Sequence, residues 1–480
     1  MSLERQTITG VTWGVVAKLV TQLVAWAVTL LVIRLLTPAD YGLMALSAVV
    51  LSIFAGIAEL GLGASLVQAR NPSQHDIARV AGALLLLNVA CGAVVCLGAP
   101  LLARAFGHPR LELLIQVSSA QFVLIAVAAI PEALAYRSMR FKWLAAADIV
   151  SGFTTSVMTL VLALANAGVW ALVLGNLSGY TVRTGMLVLG GANVRPTFRL
   201  QGIGRFLRFG GAVSGARFAW QLTYQADLLI AGRALSQEAV GAYSVAVQLA
   251  NLPLQKVMGI VNQVAFPAMA RLQEELPRMR QRLLSAIRLL AVGTIPILWG
   301  ISAVAPEFVA VVLGDQWSSV ILPLQLIAIA APIRMLATLL ATAVSAMGRA
   351  DIELVNTLVS LAVFVAAFLV GVRWDIHGLA VAYVIAASSS LLLNFRRTAR
   401  VIGVSAREIG TAGRSTVMAG VVMFASTVGA RSLLPEVSDG LRLPVLVAVG
   451  AAAYVAAMVL VDRAIWADAR KVVAVLRESS

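Results

Sequence analysis

Charge is scarce in this chain. Asp, Glu, Lys and Arg make up 12% of its 480 residues, about half of what a soluble domain carries. With 60% hydrophobic residues and a mean hydropathy of +0.91, too little polar surface remains to cover a water-soluble particle. The chain reads as a polytopic membrane protein. Cysteine is nearly absent: Cys91 and Cys96 stand five residues apart in one apolar segment. A helix puts them on different faces, so no disulfide is expected and no redox compartment follows. The three histidines, His75, His108 and His377, fall in expected loops and offer no metal-ligand spacing. There is no GxxxxGK[ST] phosphate loop, which excludes direct ATP drive by this chain, and no catalytic triad or paired-carboxylate site. No loop exceeds about 20 residues, and the longest on the outer side is about 15. That leaves no room for a soluble catalytic domain, so a membrane polymerase or ligase is disfavoured and no cofactor is implied. Arg5 precedes a long apolar run without a small-residue cleavage site, so an uncleaved first span is expected rather than a signal peptide.

What is present is a series of apolar stretches of roughly 20 residues, the length that crosses a bilayer. Fourteen are expected, at 11–34, 42–67, 79–102, 113–133, 145–167, 168–190, 206–231, 240–270, 284–305, 321–346, 354–371, 376–396, 412–432 and 442–462. An even number puts both termini on one side, and cytoplasmic loops keep the excess of Lys and Arg. With the N-terminus inside, and basic residues at span ends counted with the adjoining segments, the eight inner segments hold 23 basic residues and the seven outer ones 7. Both termini are therefore expected in the cytoplasm. The same asymmetry accounts for the net charge of +15 and the pI near 10.9 without nucleic acid. Trp143, Trp170, Trp317, Trp374 and Trp466 fall at expected span ends, where amphipathic rings favour the membrane interface.

The chain also repeats itself. Arg34, Thr37 and Gly42 reappear as Arg233, Ser236 and Gly241, 199 residues later, and Lys18 and Gln22 fall on Arg217 and Gln221 at the same offset. This predicts an all-α protein of two six-helix lobes, 1–200 and 201–400, with two further helices and a tail in 401–480. Six spans per lobe insert both lobes the same way up, as in parallel-repeat transporters. Thr37 and Ser236 are good helix N-caps and Pro38 suits a first helical turn. Pro253, Pro267, Pro296 and Pro323 can kink or end spans 8 to 10.

Polar side chains are expensive in hydrocarbon and mark cavities or partners. Lys18 and Gln22 share a face of span 1. Arg217, Gln221, Tyr224 and Gln225 form a stripe on span 7. Gln248, Asn251, Gln255 and Asn262 form another on span 8, with Gln263 and Lys256 beside them, and Arg334 lies in span 10. A water-filled cationic cavity between lobes would suit a phosphate or pyrophosphate, with amides bonding sugar hydroxyls. The competing reading is helix-to-helix bonding, which polar residues also perform in bundles. Glu59 and Asp227 are candidates for exchanging H⁺ or Na⁺; the alternative is charge pairing with Arg34, Arg233 or Lys256. Asp148 is expected at the interface. Arg34 and Arg233 read as helix-end elements.

The stretches Ile33–Gly42 (IRLLTPADYG), Glu59–Gln68 (ELGLGASLVQ), Pro131–Trp143 (PEALAYRSMRFKW), Gly168–Leu172 (GVWAL), Gln225–Gly241 (QADLLIAGRALSQEAVG) and Ala346–Arg349 (AMGR) resemble the Wzx-type polysaccharide transporters of the multidrug/oligosaccharidyl-lipid/polysaccharide superfamily. The similarity is greatest to the branch serving colanic-acid or xanthan-type exopolysaccharides. The resemblance implies two lobes alternating access, and a flippase that carries an oligosaccharide repeat unit on undecaprenyl pyrophosphate from the cytoplasmic to the periplasmic leaflet, for exopolysaccharide or O-antigen-type lipopolysaccharide assembly. It implies coupling to a proton or sodium gradient, a polysaccharide polymerase and a chain-length regulator as partners, and a groove for the lipid tail in spans 13 and 14. A cation-coupled multidrug exporter of the same superfamily is the alternative. Its cationic substrates need acids, whereas the deep charges here, Lys18, Arg217, Lys256 and Arg334 against Glu59 and Asp227, lean basic.

Overall fold

The computed structural model describes residues 25–59, 73–190, 196–198, 204–273, 275–434 and 437–461; for residues 59, 204–217, 255–268 and 270 it describes the backbone. The described residues are helical, without a strand. The helices are α1 (Ala25–Leu35), α2 (Pro38–Glu59), α3 (Gln74–Phe106), α4 (Arg110–Ser118), α5 (Gln121–Arg137), α6 (Phe141–Leu164), α7 (Val169–Gly190), α8 (Gly204–Ala234), α9 (Gln237–Ala270), α10 (Leu276–Ala303), α11 (Ala305–Phe308), α12 (Ile321–Ala346), α13 (Ala350–Gly371), α14 (Asp375–Ile402), α15 (Ala406–Ser432) and α16 (Asp439–Val461). Eight helical stretches among them are long and apolar enough to cross a membrane. His75 and His377 sit in first helical turns rather than loops, and His108 in the turn between α3 and α4. The chain divides into two compact units, Met1–Gly241 and Ala242–Ser480, the boundary lying inside α9.

In the first unit, small residues let backbones approach. Gly175 and Gly179, one turn apart on α7, meet Thr159 and Thr155 of α6; a Cβ on either glycine would fall 1.9 Å from a threonine Oγ1. Small residues at this spacing are the usual route to close helix packing in lipid, where the hydrophobic effect between helices is absent. The first turns of α2 and α9 meet even more closely. A Cβ on Gly42 would stand 2.0 Å from the Gln237 carbonyl oxygen, and one on Gly241 would stand 1.7 Å from the Pro38 carbonyl oxygen. Pro38 and Gln237 are themselves 199 residues apart, the offset that relates the two glycines. The contact is therefore reciprocal, each glycine receiving the carbonyl of the other's preceding turn.

The second unit packs α10, α12, α14 and α15 around Met279, Leu283, Leu339, Val344 and Ile402. Glu307 of α11 is 2% exposed and forms a two-pronged ion pair with Arg431 of α15 (Nε–Oε1 2.6 Å, Nη2–Oε2 2.8 Å); Nη2 also reaches the Ala303 carbonyl oxygen. A buried carboxylate without such a partner is strongly destabilising, so the pair fixes α15 against the end of α10. Trp317 departs from the expectation of an interfacial ring. It is fully buried, carried inward by a tight 3-10 turn over Asp315–Val320.

Replacing Gly241 or Gly42 with Ala forces two backbones apart, and overpacking of this kind costs about 1–3 kcal/mol. Gly56, with open space around it, is the internal control. Thermal unfolding of the purified protein in detergent should show a lowered Tm for Gly241→Ala and Gly42→Ala and no loss for Gly56→Ala. Equal behaviour of the three variants would refute the tight contact.

Candidate functional site

Where the structure describes them, the motifs stand at helix junctions; of Glu59–Gln68, residues 60–68 lie outside the described residues. Thr37 and Asp40 form a reciprocal cap on α2: the Thr37 backbone N–H and Oγ1 donate to Asp40 Oδ2 (3.1 and 2.7 Å), and the Asp40 N–H donates to Thr37 Oγ1 (3.3 Å). The second carboxylate oxygen of Asp40 accepts the Val169 N–H at 3.0 Å, capping α7 as well. Gly168, just before it, has φ +56°, and a Cβ there would lie 3.1 Å from Asp40 Oδ1. One carboxylate thus joins the TPADYG and GVWAL stretches. Ser236 caps α9 by accepting the Ala239 N–H at 3.2 Å, as its repeat partner Thr37 caps α2. Gln237 Nε2 lies 3.0 Å from His108 Nδ1, tying the start of α9 to the α3–α4 turn. In AMGR, Gly348 (φ +72°) ends α12, and Arg349 pairs through two nitrogens with Asp351 at the start of α13.

The sequence-derived site residues fall into three groups. Lys18 and Gln22 lie outside the described residues. Glu59, Arg217, Gln255, Lys256 and Asn262 are placed on α2, α8 and α9 by backbone alone. The others have described side chains. On α8, Gln221 and Gln225 are half-buried one turn apart, and Gln225 Nε2 donates to Ser52 Oγ of α2 at 2.9 Å. Beside them Trp220, half exposed, stacks at a tilt on Tyr224 with 4.7 Å between ring centroids. Asp227 is buried, and one of its oxygens accepts the Leu228 N–H at 2.8 Å. On α9, Gln248 is exposed and Asn251 buried. On α12, Arg334 donates to the Tyr383 hydroxyl at 3.2 Å and stands 5.4 Å from the ring centroids of both Phe364 and Tyr383. A guanidinium held between two aromatic faces is fixed in position while keeping its charge.

A second polar centre was not anticipated from the sequence. Arg183 of α7 forms a two-pronged pair with Glu132 of α5 (both 2.9 Å) and a third bond to Asp148 of α6 (2.9 Å). The signal was present: an arginine inside a span calls for a carboxylate partner, and Glu132 lies at the end of span 4. Asp148, an exposed residue of α6, also closes this centre. In the second unit, Arg397 is held by Asn356 Oδ1 (2.8 Å) and Asn394 Oδ1 (2.6 Å), and Asn394 also bonds Ser360. No cluster of metal-ligating side chains occurs among the described residues.

Helices with long apolar stretches, polar groups bonded between helices and capped junctions are the build of a multi-pass membrane protein. A solved lipid II flippase MurJ, in an inward closed conformation, superposes with a TM-score of 0.74 over 94% of this chain and 98% of its own, at 11% identity; at that identity the likeness speaks for the fold. A model of the family "Polysaccharide biosynthesis protein" matches residues 31–322, more than half of the chain. The chain belongs to that family. Its relatives include the lipopolysaccharide biosynthesis protein WzxC of Escherichia coli (strain K12), 26% identical over 77% of this chain and 76% of that one. They also include the succinoglycan biosynthesis transport protein ExoT of Rhizobium meliloti (strain 1021), 27% identical over 66% and 65%. The resemblance to Wzx-type transporters read from the motifs is thereby borne out, and the family and its structural neighbours are membrane transporters rather than enzymes.

The junction at His108 carries a pH consequence. Burial pushes its imidazole below the ordinary value, against the opposing pull of the Glu238 carboxylate. The unfolded chain takes up this proton near about pH 6.5, the folded chain only at lower pH. The folded state therefore binds fewer protons in between, and the stabilising contribution present above that pH is lost as pH falls. Between pH 7.5 and 5.5 the Tm of the wild type should drop more than that of His108→Asn, which cannot titrate. Parallel curves would show that this histidine does not contribute.

Proposed function

We propose that this protein is a flippase for lipid-linked oligosaccharides in bacterial polysaccharide biosynthesis. The family match over residues 31–322 carries the reading, and relatives whose names place them in lipopolysaccharide and succinoglycan biosynthesis support it. The substrate is an oligosaccharide repeat unit on undecaprenyl pyrophosphate, moved from the cytoplasmic to the periplasmic leaflet by alternating access. The chain crosses the inner membrane fourteen times with both termini in the cytoplasm, in two repeat-related lobes, 1–200 and 201–400, followed by two helices in 401–480.

In this reading the cationic groups Lys18, Arg217, Lys256 and Arg334 bind the pyrophosphate, for which guanidinium geometry is suited. The amides Gln22, Gln221, Gln225, Gln248, Asn251, Gln255 and Asn262 bond sugar hydroxyls, each replacing a hydrogen bond the sugar loses with water. The polyprenyl tail stays in lipid. Glu59 and Asp227 exchange H⁺ or Na⁺, and the burial of Asp227 supports that assignment because a desolvated carboxylate gains most from a bound cation. A polymerase and a chain-length regulator consume the delivered units.

Depleting the protein in its host and quantifying undecaprenyl-linked oligosaccharides tests this directly. Complete repeat units should accumulate on the inner leaflet and surface polysaccharide should disappear. Unchanged intermediates with heightened sensitivity to cationic drugs would point instead to a multidrug exporter. Arg217→Ala and Lys18→Ala should each abolish export while the protein stays in the membrane, and wild-type export by both would remove the cavity role.

A further inference from the structure

The stretch Pro131–Trp143 carries part of the family resemblance, yet none of its residues belongs to the cavity proposed above. It forms the end of α5, the turn into α6 and the first residues of α6. Behind the turn lies a cavity of about 490 Å³, lined in part by Gln74, Arg137, Ser138, Arg140, Trp143 and Gly190. We infer that this turn and its cavity are a binding site for the phosphate headgroup of an anionic lipid.

Three observations support the site. The first is charge geometry. Arg137 and Arg140 both line the cavity. Arg140 donates through Nη1 to the Gly190 carbonyl oxygen, and its guanidinium lies 6.0 Å from the centroid of the Trp143 ring. The bond to Gly190 anchors the group and uses one of its five N–H donors. Two arginines at one cavity wall match phosphate oxygens better than lysines would, because the guanidinium fork can donate twice to one acceptor group. The second is a shaped wall. Gly190 admits the edge of the Trp143 indole, and a Cβ there would fall 2.3 Å from its Nε1. The close fit holds the ring as a fixed wall of the cavity beside the arginines. The third is the surface around the opening. Tyr136, Met139 and Phe141 are 46, 76 and 56% exposed and alternate with Arg137, Arg140 and Lys142. Tyr136 and Phe141 meet edge to face at 6.4 Å. Large exposed apolar side chains interleaved with cations suit a surface seated at the boundary of acyl chains and headgroups. Basic pockets between membrane helices on the cytoplasmic side take lipid phosphates in this way.

The inference rests on the flippase reading only in taking this end of the first unit as cytoplasmic. The shared chemistry is a phosphate ester or anhydride on a lipid, and two sources offer it: an ordinary anionic phospholipid of the bilayer, or the pyrophosphate of the polyprenyl-linked substrate before it is transported.

The test uses the purified full-length protein in neutral detergent, titrated with a fluorescent short-chain phosphatidylglycerol and, in parallel, with phosphatidylcholine of the same chain length. Phosphatidylglycerol should bind saturably and phosphatidylcholine should not. Arg137→Ala/Arg140→Ala should weaken binding about tenfold or more, since a hydrogen bond to a charged group is worth at least one decade in affinity. Arg137→Lys/Arg140→Lys, which keeps both charges and removes the guanidinium forks, should weaken it several-fold while leaving the Tm unchanged, so a loss of binding is not a loss of fold. Displacement by undecaprenyl pyrophosphate would identify the substrate as the occupant; failure of displacement would identify the bilayer lipid, and both uphold the site. Equal binding of the two phospholipids, or phosphatidylglycerol binding unchanged in Arg137→Ala/Arg140→Ala, would overturn it. Binding without any export by the wild type would sink the flippase reading and leave the site standing. Export without selective binding would do the reverse.

Discussion

Hydrocarbon offers no hydrogen-bond partner, and an unsatisfied peptide group there costs several kcal/mol. A chain 60% hydrophobic that passes through such a medium must close its backbone bonds within each crossing, which is why the described residues are helical throughout. The same constraint acts on side chains, and the arginines show how it is met. Arg183 is answered by Glu132 and Asp148, Arg431 by Glu307, Arg397 by two asparagine carbonyls, and Arg334 by a hydroxyl and two aromatic faces. Two full ion pairs, an amide cradle and an aromatic clamp differ in what they do to the charge. A carboxylate neutralises it. Amide oxygens and aromatic faces leave most of it available to an anion.

Local features were legible in the sequence because their causes are local. The Thr37 and Ser236 caps follow from residue type and position. The offset of 199 residues was legible too, and it has a physical counterpart: Gly42 and Gly241 each admit the carbonyl of the other's preceding turn. A repeat read as sequence symmetry thus appears as a reciprocal contact that no larger side chain permits. What was not legible depends on distance along the chain. Arg183 stands 51 residues from Glu132 and 35 from Asp148, and nothing in one sequence pairs them. Trp317 was misread for a related reason. Its position at a span end suggested an interfacial ring, but the tight turn over Asp315–Val320 folds it into the core. For the candidate cavity, α8 and α9 were placed as expected, whereas Asn251 is buried and Gln248 exposed. Helical periodicity assigned both to one stripe, and packing against neighbours separates them.

Where the structure describes them, the stretches that carry the family resemblance are junctions. Asp40 binds the start of α7, Gln237 reaches His108, Gly348 and Arg349 join α12 to α13, and Ser138–Arg140 turn α5 into α6. Junctions set the angles between helices, so sequences that share them share an architecture. Most of the amides that the proposed function assigns to the sugar lie elsewhere, along α8 and α9. This separation explains why motif resemblance identifies the class of transporter and leaves the sugar repeat open. In the proposed function the specificity lies in the polar stripes, and the capped and glycine-packed ends hold the helices that carry them.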